Sequence, residues 1–315
     1  MSALRDAVEE YVALRRALGA QIHRSAGDLH RFVDYLEGEG ADFVTTELAL
    51  RWAQASPSAQ PATWAERLAV VRRFALWRSV TDARTQVPPP GLLPHRRRRI
   101  PPYVYSDEEI ERLVEQAARL PSACGLRGPT FATLFALLAV TGLRIGEALN
   151  LDTADVDLRD GVLTIRNAKF GKSRFVPLHE STRRALARYA ERRDRVLPRR
   201  THNAFFVTER GKRICHGMAE WTFARVSCAI GLRAPAPRGR TGRGPRLHDL
   251  RHRFAAARLI AWYRTGVDVE RELPKLATYL GHVHVRYTYW YIEAVPELLQ
   301  LATERLLGQR QAVTP

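Results

Sequence analysis

Cysteine is scarce in this chain of 315 residues: Cys124, Cys215 and Cys228 are an odd set with no CxxC spacing. That argues against a disulfide framework or a zinc ribbon, and a reducing compartment such as the cytoplasm fits. No apolar run reaches the roughly 18 residues that a membrane span needs. The first residues enter an amphipathic segment with acidic side chains, so no signal peptide is expected. No GxxxxGK[ST] loop offers a cradle for nucleotide phosphates. His282 with His284, and Cys215 with His216, find no further ligands at zinc spacing, so no metal and no cofactor are expected. Lysine is rare as well, confined to Lys169, Lys172, Lys212 and Lys275.

Positive charge, by contrast, is in excess. The formal net charge is +17, carried almost wholly by arginine. A GC-rich genome accounts for arginine in place of lysine, but the excess itself calls for an extended polyanionic partner. It is unevenly spread: residues 1–85 balance 11 Lys+Arg against 11 Asp+Glu, and the rest of the chain holds 39 against 22. The second part should therefore dominate affinity for a polyanion. Arg67, Arg72, Arg73 and Arg78, on one predicted helix, let the first part contribute through one face.

Residues 1–85 read as a small helical bundle. Ala7, Val8, Tyr11, Leu14 and Leu18 form a helical stripe that stops at Gly19, and Leu29, Phe32, Val33 and Leu36 repeat it. Further helices are expected from Thr46 to about Ala55 and from Ala62 to Val80. Residues 86–102 hold six prolines around Arg96, Arg97, Arg98 and Arg99, which predicts an extended linker rather than a packed element. Ser106 with Glu109 forms a capping box that opens the second domain, residues 103–315. Thr130 to Val140 is apolar nearly all round, as a buried helix would be. Asp155 to Leu178 switches to strand signals around an Asp160-Gly161 turn and a second turn near Gly171. Helical patterns resume from Ser181, interrupted by a basic loop from Arg233 to Arg246. The fold class expected is mainly α with a small antiparallel sheet.

Four segments carry chemistry. They are Thr141-Gly142-Leu143-Arg144-Ile145-Gly146-Glu147, His248-Asp249-Leu250-Arg251-His252, Leu280-Gly281-His282, and Thr288-Tyr289-Trp290-Tyr291. Each alone is weak, but together they supply what phosphodiester cleavage without a metal demands. Fixed cations must surround the oxygens of a pentavalent transition state. A nucleophile, a base for its proton and an acid for the leaving oxygen complete the set. Arg144 opens a helix with Glu147 one turn on, where a carboxylate could hold the guanidinium. His248 and Arg251, three apart, share a helical face.

In order and spacing these motifs resemble the tyrosine recombinase (phage-integrase-like) family, whose signature is Arg…Lys…His-x-x-Arg…His/Trp…Tyr. The resemblance covers most of the chain, with residues 1–85 similar to the family's core-binding domain, a DNA clamp. It implies that Arg144 and Arg251 clamp the scissile phosphate and that His282 adds a third donor. His248 would serve as general base or further donor, and Tyr291 would attack to leave a 3′-phosphotyrosine. The general acid would be Lys169 on the hairpin turn, with Lys172 as competitor. For the nucleophile, Tyr279, Tyr287 and Tyr289 are rivals that lack the nine-residue spacing from His282. Arg72, Arg73, Arg96, Arg97, Arg98, Arg99, Lys172 and Arg174 are candidate DNA contacts, although the linker arginines could equally be solvated.

The resemblance further implies double-stranded DNA as partner, a homo-tetramer on DNA, alone or with related recombinases, and a bacterial cytoplasmic location on the nucleoid. It also suggests an integrase of a mobile element, without an extra arm-site domain before Arg5. The segment Pro296 to Leu307 would be a short helix that packs on its own domain or on a neighbouring subunit. The interval from Arg251 to His282 exceeds the family pattern, and a loop is expected around Arg264 to Pro274. The rival functions are a DNA-binding regulator without chemistry and a type IB topoisomerase.

Overall fold

The computed structural model describes residues 2–20, 22–57, 59–94, 101–166, 173–199, 202–235 and 244–312. The chain divides into two compact units, Met1–Ile100 and Pro101–Pro315. Among the described residues no helix is long and apolar enough to cross a membrane.

The first unit is a four-helix bundle: α1 (Ala3–Ala17), α2 (His23–Gly38), α3 (Thr46–Gln54) and α4 (Pro61–Arg78). Ser2 and Thr45 cap α1 and α3 by accepting from the Arg5 and Leu48 amides, and proline occupies the first turn of α4, where its missing N–H costs nothing. Val8, Leu29, Phe32, Val33, Leu36, Leu68, Val71 and Phe74 make a core that excludes solvent. Leu14 and Leu18, which the periodicity groups with the α1 stripe, are 43% and 73% exposed.

The proline segment is not a free tether. Val87 and Leu93 pack against the bundle core. The Gln86 amide donates to Val44 O at 2.8 Å, and the Gln86 side chain accepts from the Thr46 amide. Arg72 donates to the carbonyls of Pro88 and Pro89. Proline removes donors but keeps acceptors, and an arginine fork supplies the missing partners. Arg96, Arg97, Arg98 and Arg99 lie outside the described residues.

In the second unit the Ser106–Glu109 capping box opens α5 (Asp107–Ala118), as the sequence predicts. The apolar helix α6 (Arg127–Thr141) runs through the core and ends at Gly142, in the left-handed conformation with φ 62°. Arg144 is the N-cap of the short α7 (Ile145–Asn150). An antiparallel sheet follows in the order β1 (Val156–Asp157), β2 (Val162–Ile165), β3 (Arg174–Pro177). Its register pairs Val162 with Pro177 and Ile165 with Arg174. Helices α8 (Glu180–Val196) and α9 (His216–Ala229) complete that half.

The remaining helices are α10 (Asp249–Arg264), α11 (Val269–Leu280), α12 (Arg286–Ala294) and α13 (Pro296–Ala312). The loop expected at Arg264 to Pro274 is largely absent. α10 continues to Arg264, a turn at Gly266 reverses the chain, and Asp268 caps α11. Pro274 sits inside α11 and forfeits one helical hydrogen bond. Burial of Val269, Leu273, Leu276, Ala277 and Leu280 along one face outweighs that cost. Residues 264–274 therefore belong largely to α10, a short turn and α11. α13 extends beyond the expected Leu307 and packs on α10 and α12 of its own chain, burying Leu298 and leaving Leu299, Leu306 and Leu307 exposed. Of the basic stretch 233–246, residues 236–243 lie outside the described residues.

Candidate active site

Two left-handed glycines end the helices α6 and α11. The last carbonyls of a helix lack internal partners and carry the negative end of its dipole, so they attract cations. Here they hold arginines. Arg251, 2% exposed on α10, donates from Nη1 to Gly142 O and from Nη2 to Leu280 O, both at 2.7 Å. Arg144 donates from Nη2 to Gly281 O at 2.9 Å. A guanidinium has five N–H donors in a fixed fork, so each arginine keeps further donors for a ligand after these scaffold bonds are made.

Glu147 holds the other side of Arg144. Its carboxylate accepts from Arg144 Nη1 at 2.8 Å and from the Arg144 amide at 3.0 Å. It also accepts a fork of two bonds from Arg174, at 3.1 and 2.8 Å. Burial would raise the Glu147 pKa, but Arg174 and then Arg144 outweigh it and hold the carboxyl down at about 2. Arg174 spends its Nε on Tyr279 O at 2.8 Å, and its side chain is 12% exposed. All three of its nitrogens thus make bonds inside the protein, which ties β3 to α7 and α11 and leaves the fork further N–H donors.

Tyr291, on α12, is 2% exposed among Phe254, Leu280 and Val295. Its hydroxyl lies 3.3 Å from His252 Nδ1, and its ring stacks on His282 at 6.3 Å between centroids and 22°. Burial raises its pKa, while Arg251 and Arg144 act in the opposite direction. The rival tyrosines are placed differently. Tyr287 and Tyr289 are 39% and 46% exposed, and Tyr279 stacks on Phe254 with its carbonyl bound to Arg174.

His282 follows the left-handed Gly281 and shares a 2.8 Å hydrogen bond between Nδ1 and the buried Thr288 hydroxyl. With that hydroxyl donating, Nε2 bears the ring proton and is the free donor. Burial first, then Arg251, Arg144 and Arg174, push its pKa down to about 3, so the ring acts as a neutral donor at pH 7. His248 caps α10 at the rim, where its ring reaches water. Crowding by protein atoms, then Arg251, lower its pKa below the usual imidazole value.

The arrangement joins Arg144, Glu147, Arg251, His282 and Tyr291 from helix ends that are far apart in sequence, with His248 at its edge. Lys169 and Lys172 fall in the β2–β3 hairpin outside the described residues. Arg73 belongs to α4 of the other unit. Among the described residues no group of three His, Cys, Asp or Glu side chains could hold a metal ion.

Comparison with known proteins supplies a lineage for this geometry. Residues 104–297 match the model of the phage integrase family. The chain belongs to this family, that of the tyrosine recombinases. A Sinorhizobium fredii protein named as an integrase/recombinase, y4rB, is 47% identical over 97% of this chain and 98% of its own length. The tyrosine recombinase XerD of Caulobacter vibrioides is 29% identical over 97% of each chain. Among solved structures, the XerH recombinase in a post-cleavage complex with difH DNA has a TM-score of 0.63 at 19% identity, covering 95% of this chain and 83% of that one. A lambda integrase dimer on a core site has a TM-score of 0.61 at 15% identity, covering 93% and 96%. At these identities the structures establish the integrase fold alone.

Several residues of this recombinase site escape a reading by motif. His252 and Thr288 lie within quoted motifs, yet only the folded chain brings them to Tyr291 and His282. The carbonyls of Gly142, Leu280 and Gly281 leave no side-chain signal, although the TG and LG pairs mark where helices end. Arg174 carries a sequence signal for charge but none for burial.

Proposed function

We propose that this recombinase cuts and rejoins double-stranded DNA through a covalent bond between Tyr291 and a 3′ phosphate. The observation that carries this reading is the buried Tyr291 hydroxyl beside two arginines that are already fixed by main-chain carbonyls. Arg144, Arg251 and His282 would hold the nonbridging oxygens. Preorganised donors of this kind stabilise charge that develops in the transition state without reorganising at the moment of reaction. The Tyr291 oxygen gives up its proton, with His248 as the general base or a further donor, and forms a bond to phosphorus while the bond to the 5′ oxygen breaks. Lys169 gives that oxygen a proton, with Lys172 the alternative donor in the same turn. The 5′ hydroxyl of another strand reverses the sequence, and the tyrosyl ester retains the energy of the broken bond, so no ATP is needed.

We further propose that four protomers act together on two duplexes. The leucines of α13 that stay exposed, Leu299, Leu306 and Leu307, support a contact between protomers. The kinship with y4rB, named as an integrase/recombinase, supports the integrase reading, to which we add service to a mobile element. Arg73, Arg96, Arg97, Arg98 and Arg99 would contribute phosphate contacts, and Arg72 would do so only by releasing the proline carbonyls.

The test is covalent trapping on a nicked suicide substrate that carries the DNA flanking the gene. Wild type should form an adduct that Tyr291→Phe abolishes, that Tyr289→Phe retains and that Lys169→Ala slows. Tight binding without any adduct would favour a regulator that lacks the chemistry. Relaxation of supercoils without dependence on a site would favour a topoisomerase.

A further inference from the structure

A threonine in a helix can return its hydroxyl to the carbonyl four residues earlier. Thr130, Thr141, Thr265, Thr278 and Thr303 all do so here. Thr288, in the first turn of α12, departs from this pattern. It is fully buried, and its Oγ1 lies 2.8 Å from His282 Nδ1. Three residues further along the same helix, Tyr291 stacks its ring on the same imidazole. The helix that carries the nucleophile thus holds His282 at two points.

The direction of the Thr288–His282 bond follows from counting donors. A hydroxyl carries one proton, and leaving a buried one unpaired costs free energy. Among the described residues, Nδ1 is the only hydrogen-bond partner of the Thr288 hydroxyl, so the proton points there. Nδ1 is then the acceptor, and the ring proton sits on Nε2. A second proton on the ring would set N–H against O–H and leave the threonine without an acceptor. Burial, and then the charges of Arg251, Arg144 and Arg174, also disfavour the protonated ring.

We propose that Thr288 is a positioning residue for strand cleavage: its hydroxyl holds His282 as a neutral ring with Nε2–H turned to the phosphate, and so makes this donor depend on the seating of the helix that carries Tyr291. The inference rests on the reading of Tyr291 as nucleophile and His282 as phosphate donor. Thr288 itself touches no DNA. Without its hydroxyl the ring can exchange tautomers or rotate about its bond to Cβ, and either change takes the N–H away from the phosphate. Arg144 and Arg251 do not share this dependence, because carbonyls of Gly142, Leu280 and Gly281 fix them. The main chain of His282 is fixed as well, through its N–H to Ala277 O. The Thr288 bond therefore governs the part of His282 that the turn leaves free, its ring.

Single-turnover cleavage of the suicide substrate by the full chain tests the proposal with two variants. Thr288→Val keeps the shape and removes the hydroxyl, and Thr288→Ser keeps the hydroxyl. Removing one oxyanion donor costs on the order of 10²-fold, so a donor that stays but loses its aim should slow Thr288→Val about tenfold or more, with Thr288→Ser within about threefold of wild type. DNA affinity should be unchanged in both. Two substrates with sulfur in place of one or the other nonbridging oxygen separate positioning from general damage. Sulfur accepts hydrogen bonds poorly, so the slowing in Thr288→Val should shrink for the isomer whose sulfur faces His282 and persist for the other. Equal slowing with both isomers would overturn the proposal, as would a Thr288→Val enzyme as fast as wild type. Nitrogen NMR of histidine-labelled protein reads the ring without reference to activity. The His282 signal, identified by its loss in His282→Asn, should show a bare Nδ1 and a protonated Nε2 in wild type and a mixture in Thr288→Val. A protonated Nδ1 in wild type, or the same uniform tautomer in both proteins, would also overturn the proposal. If Thr288→Val fails to fold, Thr288→Ala carries the same comparisons. A wild-type enzyme that forms no adduct would instead overturn the assignment of Tyr291, and a His282→Asn enzyme that cleaves at full rate would overturn the donor role of His282.

Discussion

Glu147 is the position where a minimal change should have the largest measurable consequence. Replacing it by glutamine keeps the shape and removes one charge from between the guanidinium groups of Arg144 and Arg174, which its carboxylate binds through three side-chain hydrogen bonds. The Glu147 side chain is 8% exposed and that of Arg174 12%, so water screens the contact weakly. The carboxyl titrates at about 2 in place of 4.5. At 1.36 kcal/mol per pH unit, this difference corresponds to about 3 kcal/mol, the range expected when one partner of a buried ion pair is removed. Because the folded-state pKa is depressed, the contribution is complete above about pH 4.5 and is lost as pH falls towards 2, with about half of it left at pH 3. Equilibrium urea unfolding of the full chain at pH 7 should show Glu147→Gln weaker by about 3 kcal/mol, and the gap to wild type should narrow on acidification. A variant within about 0.5 kcal/mol of wild type at pH 7, the range of an inconsequential surface change, would refute the reasoning. So would a gap that widens as pH falls.

Other positions test separate parts of the site. Gly142→Ala would place a Cβ 2.5 Å from the Phe254 ring at a φ of +62°, so it should cost about 2 kcal/mol or more in a thermal melt and slow adduct formation. Gly146→Ala meets nothing within 4 Å and should leave the melting temperature equal or higher. Arg174→Ala should slow cleavage by at least tenfold while DNA affinity by fluorescence anisotropy changes less than about threefold, whereas a phosphate contact would give the reverse. The buried histidines His252 and His282 have folded-state pKa values held near 3, so their contribution is present above the usual imidazole value and declines as pH falls below it. Urea midpoints should therefore drop between pH 7 and 5, and a level profile would contradict the burial of these rings.

Much of the site is legible in the sequence because the chemistry demands residue types that sequence displays directly. Arg144, His248, Arg251, His282 and Tyr291 stand in four short motifs, and in two of these Gly142 and Gly281 mark the helix ends next to Arg144 and His282. The helical bundle and the β2–β3 hairpin follow from periodicity and turn residues for the same reason. What the sequence conceals depends on distance in the chain. Arg174 reads as a free cation until β3 is laid beside α11, and only then does Glu147, 27 residues away, absorb its charge. The α11 helix is hidden differently. Pro274 and the turn residues near Gly266 signal a loop, but the apolar face from Val269 to Leu280 is worth more than one missing hydrogen bond.

The turn at Leu280–Gly281 ties Arg144 and Arg251 to one point of the backbone. Leu280 O holds Arg251 and Gly281 O holds Arg144, while a Cβ at Gly281 would stand 2.8 Å from Arg174 Nη1. The next residue is His282, whose N–H donates back to Ala277 O at 2.8 Å and so fixes where its ring can point. A displacement of this turn therefore moves three donors together instead of one. The separation between the arginines and His282 is thereby set by main-chain geometry, which is stiffer than any side-chain contact. Tyr291 is held by side-chain contacts, its ring stacked on His282 and its hydroxyl 3.3 Å from His252 Nδ1 and close to Arg251. Under the proposed mechanism, the groups that would hold the phosphate are thus fixed through main-chain carbonyls, whereas Tyr291 is placed by side-chain contacts.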